Sequence, residues 1–347
     1  MNTALQSKVI ELPDDDPWAV YERLYEMGVT DGLPVIAPTD ARVRQFVAAS
    51  GRPANEVVGR VAPLQGPATV EKIAINAVMA GCRPEYMPVV IAAVEAVCDP
   101  AFNLLAVQTT TNPVAPLILV NGPIRQQLDI NCGRDALGPG RRANATIGRT
   151  MRLIQLNVGG AVPGEVDKST LGMPGKYTMC LGELEEESPW KPMHVDRGLR
   201  REESAVTVVG VHGTDNTFVA WREADSILQA VASAMTSIGA INTVMGNGNC
   251  IVFFNPGHAK LLADQGFSKQ DVQDQLYARS RIPVGDLPQE VSEIQDDRYR
   301  HVVDGFNTVT RSPRDILIAV AGGPEAYHIT YCAGFGHWAV TKPVRMA

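Results

Sequence analysis

The sequence predicts an α/β protein with mixed sheets and flanking helices, arranged as two α/β lobes with the functional site between them or at strand ends. Three observations lead there. Short apolar runs, such as Leu117-Ile-Leu-Val120 and Cys250-Ile-Val-Phe-Phe254, have the length of buried strands and stop at Asn, Gly or Pro. Between them lie longer segments whose apolar residues recur at helical spacing. Of 347 residues, 45% are hydrophobic and 20% charged, which is globular composition with material for a substantial core.

The elements follow in order. Residues 18–27 read as a short helix, broken by Thr30-Asp-Gly-Leu-Pro34, and an extended piece at 35–37 comes next. Thr39 is a candidate N-cap for a helix over 40–49. Two stronger helices cover 69–80 and 84–97. The first has Glu71 in its first turn and Ile73, Ala77 and Ala80 at helical spacing; Pro84 opens the second, which is apolar on most sides. The short link Gly81-Cys82-Arg83 makes them an antiparallel pair. A Thr-rich loop with Asn112-Pro113 enters the strand at 117–120, and Asn121-Gly-Pro123 ends it. The Gly-rich stretch 133–140 precedes a helix over 141–158. Ile147, Met151 and Ile154 lie on its apolar stripe, Arg142, Arg149 and Arg152 lie off it, and Gly159-Gly160 closes it. Residues 163–192 look irregular apart from a strand around 176–182.

After the charged run 196–203 the alternation is clearer. A strand at 205–212 has a hairpin partner at 217–221, and a helix covers 223–236. The strand at 250–254 is followed by helices over 257–265 and 269–279, the latter capped by Ser268. A strand at 316–321 ends at Gly322-Gly-Pro324, and extended segments surround 329–331 and 339–340. The change of texture places a lobe boundary near 200: residues 1–200 hold the helix pair and the Gly/Arg loop, and residues 201–347 form the second lobe. No repeat of fixed period is visible.

Charge excludes some functions. The net charge is −7 and no Lys/Arg-rich block stands out, so a nucleic-acid partner is not expected. No apolar run approaches the roughly 20 residues of a spanning helix, and residues 1–16 lack the pattern of a signal peptide, so a cytoplasmic protein with no membrane partner is expected. The six cysteines are far apart with no C-x-x-C, which predicts reduced, mostly buried thiols. The thin charged fraction and the apolar 87–97 helix predict a homo-oligomer.

Three groups of residues are candidates for chemistry. Thr110, Asn112 and Asn121 flank a strand, where neutral hydrogen bonds suit a carboxylate or carbonyl. Arg141, Arg142 and Asn144 lie at a loop-to-helix junction suited to an anion, although the glycine order is neither a Walker loop nor G-x-G-x-x-G. Lys176, Tyr177 and Glu183 supply proton-transfer or nucleophilic groups, and His258 sits at a strand-to-helix junction as a further acid–base candidate. Glu183 and His194 also have metal-ligand chemistry, but no set of ligand spacing completes a site, so no metal or other cofactor is expected. Asn112, the 138–142 loop and Lys176–Tyr177 are expected to share one pocket. Lys176 or Tyr177 would move a proton there, Arg141 or Arg142 would anchor an anion, and the arginines would lower the Lys176 pKa. The function expected is an enzyme acting on a small polar or anionic substrate by lyase or hydrolase chemistry. The alternatives are a substrate-binding subunit of a thiol- or selenol-dependent reductase and a non-catalytic binding protein.

Thr30-Asp-Gly-Leu-Pro34, residues 68–82, Asn112-Pro-Val-Ala-Pro116, Val120-Asn-Gly-Pro123, residues 143–148, Pro174-Gly-Lys-Tyr177 and Ser188-Pro-Trp190 together resemble a bacterial family of uncharacterised proteins. That family is associated with proteins bearing a thiol or selenol U-G-S-C motif. The resemblance covers most of the chain and implies no reaction. This chain has no C-G-S-C, so thiol-redox chemistry implied by the association would reside in a partner protein.

Overall fold

The computed structural model describes residues 5–11, 16–245, 248–294, 300–335 and 337–346. An antiparallel pair, β1 (Val57–Val61) and β2 (Gly66–Thr69), precedes the helix Val70–Ala80. Next come β3 (Ala115–Asn121), β4 (Cys180–Gly182), β5 (Ala205–Val211), β6 (Asp215–Phe218) and β7 (Cys250–Phe254). Then follow β8 (Arg281–Pro283), β9 (Val302–Val303), β10 (Phe306–Thr308), β11 (Ile316–Val320), β12 (His328–Cys332) and β13 (Val340–Pro343). They form two mixed four-stranded sheets, ordered β13-β5-β3-β4 and β11-β7-β12-β6, and a small sheet β8-β10-β9. With the helices between them, this is the α/β class the sequence predicts.

The sheets stack because their central strands are apolar on both faces. Every residue of β3, β5, β7 and β11 is buried. In the first sheet Ile118, Val120, Val206 and Val208 face a core shared with the helices Val70–Ala80, Met87–Val97 and Arg142–Asn157. Their strand neighbours Leu117, Leu119, Val209 and Val211 turn the other way, onto Ile251 and Phe253 of β7 and Leu317 and Ala319 of β11. Val252, Phe254, Ile316 and Ile318 then face the helices Ala224–Met235 and Lys269–Arg279. The result is four layers, helix, sheet, sheet and helix.

The two sheets repeat one wiring plan. From the parallel edge inward, β4-β3-β5-β13 and β11-β7-β12-β6 have the same sequence of pairings: parallel, antiparallel, antiparallel. In each, the chain leaves the central strand, crosses through helix to its parallel neighbour, and returns antiparallel on the other side. The next strand is then exchanged. β6 follows β5 but pairs with β12, and β13 follows β12 but pairs with β5. The crossing is stitched where His212 N donates to Ala333 O and Val211 bridges Gly334.

Several expectations need correction. The segment after β5 is not its hairpin partner, because β13 occupies that edge. The Thr-rich approach to β3 contains a short helix, Leu104–Thr109, capped by the Asn103 side chain. The strand expected from 176 begins at Cys180, since Pro174 starts a 3-10 turn, Pro174–Lys176. The layers do not divide at 200, because β5 and β13 complete the first sheet. The apolar helix Met87–Val97 buries ten of its residues inside the chain, so its composition is explained without a second subunit.

Candidate active site

The helix Arg142–Asn157 ends at Val158, and the chain turns back through residues 159–173 toward the start of β3. Gly164 and Gly172 take the left-handed conformation that the turns require, at φ of +82° and +78°. The returning loop is fastened to the approach to β3: Thr170 N donates to Thr111 O at 3.0 Å, and Ser169 Oγ donates to Asn112 O at 2.9 Å. The 3-10 turn then brings Lys176 over both segments. Its Nζ lies 2.8 Å from Asp167 Oδ2, 2.9 Å from Ser169 Oγ and 3.5 Å from Val114 O.

These groups line a cleft of about 570 Å³. Arg152, Asp167, Ser169 and Lys176 supply its polar wall, and Leu156 and Met173 supply apolar surface. Tyr177 is half exposed on the lining, and Leu171 is 96% exposed beside it. Asp31 also lines the cleft but is held by Arg149 through two bonds of 2.7 and 2.8 Å.

Burial is the main force on Lys176 and pulls its pKa below the ordinary lysine value; Asp167 opposes this and the Arg152 charge adds to it. As an ammonium, Lys176 directs its protons at Asp167, Ser169 and Val114 O, while Ser169 gives its own proton to Asn112 O. Once Lys176 is neutral, its lone pair can take the Ser169 proton across the 2.9 Å contact. That is a nucleophile and base in hydrogen-bond reach, with the base oriented by a third group, Asp167.

The three segments do not share the cleft lining. Asn112 is linked to Lys176 only through Ser169, which donates to the Asn112 carbonyl; the Asn112 side chain and backbone N–H both donate to Thr110 Oγ1 at 3.1 Å. The 138–142 loop is elsewhere. Arg142 is ten residues before Arg152 on one helix, about 15 Å along its axis. It donates to Gly81 O and Cys82 O, at the C-terminal end of the helix Val70–Ala80, and Arg141 pairs with Asp129 in solvent. Asn144 spends its amide on Asn131 O, Ala136 O and Asn131 N, which pins the 131–136 loop. The Lys176 pKa falls as expected, from burial and Arg152 instead of Arg141 or Arg142.

Asn121 and Glu183 lie at the other end of β3, about 20 Å from Val114. Both are fully buried; Asn121 Nδ2 donates to Glu183 at 2.6 Å and to Glu185 at 3.1 Å. Arg125 and His194 complete this polar cluster, where Asn121 Oδ1, Glu183 Oε1 and His194 Nδ1 are buried without a hydrogen-bond partner among the described residues. Burial raises the Glu183 pKa. Among the described residues, no three His, Cys, Asp or Glu side chains are placed to hold one metal ion. His258 is fully buried on the helix Pro256–Asp264, with Nε2 at 3.0 Å from Val219 O, and burial lowers its pKa.

Sequence reasoning missed Ser169, Asp167 and Arg152. A signal for the first two was present in Asp167-Lys-Ser169, inside the segment read as irregular. Arg149 and Arg152 are one helical turn apart, which marks a shared face more specifically than charge alone.

Comparison with models of protein families, with curated proteins and with solved structures found no match. No helix among the described residues is long and apolar enough to cross a membrane.

Proposed function

We propose that the protein hydrolyses small esters or amides with Ser169 as nucleophile and Lys176 as its base. The observation that carries this reading is the 2.9 Å contact between Ser169 Oγ and a part-buried, pKa-lowered Lys176 beside an open cleft. In the first step the Ser169 proton passes to neutral Lys176 and Oγ bonds to the substrate carbonyl carbon. The bond to the leaving alcohol or amine then breaks, and Lys176 returns the proton to that group. Water then attacks the acyl-serine, giving its proton to Lys176; the acyl–Oγ bond breaks to release the acid, and Lys176 returns the proton to Ser169 Oγ. Tyr177, also on the cleft lining, is a second proton donor for the leaving group. Between the lyase and hydrolase chemistries expected from the sequence, an activated hydroxyl supports hydrolysis.

The chain purified alone should hydrolyse p-nitrophenyl esters of short acids. Lys176→Met should abolish turnover while its melting temperature stays near that of the parent. A folded Lys176→Met protein with parental turnover would remove lysine from the mechanism.

A further inference from the structure

We infer that Arg152 anchors a carboxylate of the substrate, so that the cleft takes monoesters or monoamides of short dicarboxylic acids. This rests on the hydrolase reading for the ester or amide, and on separate observations for the carboxylate. Arg152 is only 7% exposed, yet it lines the cleft. Its helix neighbour Arg149 shows what a fully partnered arginine looks like here: two short bonds to Asp31 and one to Leu33 O.

Arg152 has much less. Among the described residues it donates to Ala161 O at 3.1 Å and reaches Asp167 only at 3.5 Å. Asp167 is held more closely by Lys176, at 2.8 Å. Two cations therefore share one buried carboxylate, and when Lys176 is protonated one positive charge is left over. A buried guanidinium with unspent donors is costly unless an anion completes it, and its planar fork matches a carboxylate bidentately.

The spacing sets the ligand's length. Arg152 Nη1 and Lys176 Nζ contact the same Asp167 oxygen, at 3.5 and 2.8 Å. The two nitrogens therefore lie no more than about 6 Å apart, and Ser169 Oγ is 2.9 Å from Lys176 Nζ, so roughly two to four carbon–carbon bonds separate a carboxylate on Arg152 from a carbonyl reacting at Ser169. Succinyl and glutaryl compounds have that reach.

Succinate and its neutral counterpart succinamide, titrated by calorimetry into the Ser169→Ala protein, test the anchor without turnover. Succinate should bind at one site, at least tenfold more weakly when Arg152→Gln is added, and succinamide should not bind. Arg152→Lys is the fallback should the glutamine variant fail to fold, with melting temperatures followed throughout; it keeps the charge, loses the fork, and should also weaken binding. Equal succinate affinity in a folded Arg152 variant overturns the anchor, as does no succinate binding to folded Ser169→Ala. In turnover, Arg152→Lys should reduce the kcat/KM preference for a succinate monoester over the matching neutral butyrate ester at least tenfold. The two readings fail separately. Arg152-dependent succinate binding with full activity in Ser169→Ala would sink the nucleophile and leave the anchor, whereas Arg152-independent binding with an inactive Ser169→Ala would do the reverse.

Discussion

At the scale of single residues, Asp167 governs when Lys176 can act. Its carboxylate holds a proton on Lys176, against burial and Arg152, which both favour the neutral amine. Asp167→Asn should therefore shift the pH–rate profile to lower pH, because the base is free of its proton earlier. A profile that stays in place or moves to higher pH would exclude Lys176 as the titrating base. Thiol chemistry is disfavoured at the same scale: burial pushes all six cysteine pKa values above the ordinary thiol value, Cys98 and Cys250 to about 12. Alkylation of the native chain should be slow, with six labels after unfolding without reductant; a mass short by two labels would reveal a disulfide. Lys176 was legible in the sequence because a lysine between Gly and Tyr in a proline-started turn is an unusual setting. The correct arginine was not. Arg142 and Arg152 both lie off the apolar stripe of one helix, and only position along its axis separates the end that caps a neighbouring helix from the part that meets the cleft.

At the scale of elements, strands and helices were readable wherever one physical signal dominated. The caps Thr39 and Ser268 each accept from a backbone N–H near their helix starts, and the runs at 250–254 and 316–320 are strands buried throughout. Edge choice was not readable, since β6 and β13 are short and their partners are set by which edge is open. The hidden repeat escaped for a related reason: connections of different length follow β4 and β11, residues 183–204 and 321–327, so no fixed period survives. The crossing of the two halves has its own pH dependence. His337 Nε2 accepts from Gly210 N at 2.6 Å, and His212 Nε2 is buried without a hydrogen-bond partner among the described residues. Burial pulls both imidazoles down to about 4. The unfolded chain takes up these protons below about 6.5 and the folded chain does not, so this stability is complete above that pH and is lost as pH falls toward 4, on the order of 3 kcal/mol for each histidine. Urea midpoints should fall between pH 7.5 and 4.5, and fall less in His212→Gln; the same drop in both proteins would remove His212 from the effect.

At the scale of the whole molecule, the exchanged strands tie the two sheets into one unit. Leu119, fully buried between the sheets, joins them across the middle. Denaturant unfolding should therefore give one cooperative transition by fluorescence and circular dichroism alike, and Leu119→Ala should lower the stability of the whole by about 2–5 kcal/mol without splitting it. Two resolved transitions would contradict the exchange. What the folded unit does turns on one contact, Ser169 on Lys176. Reaction with a fluorophosphonate, followed by mass mapping of the adduct, reads that contact directly. The account predicts one adduct, on Ser169, formed faster as pH rises toward the lowered Lys176 pKa and absent in Lys176→Met. Labelling of other serines with Ser169 left unmodified, or equal Ser169 labelling in Lys176→Met, would contradict it.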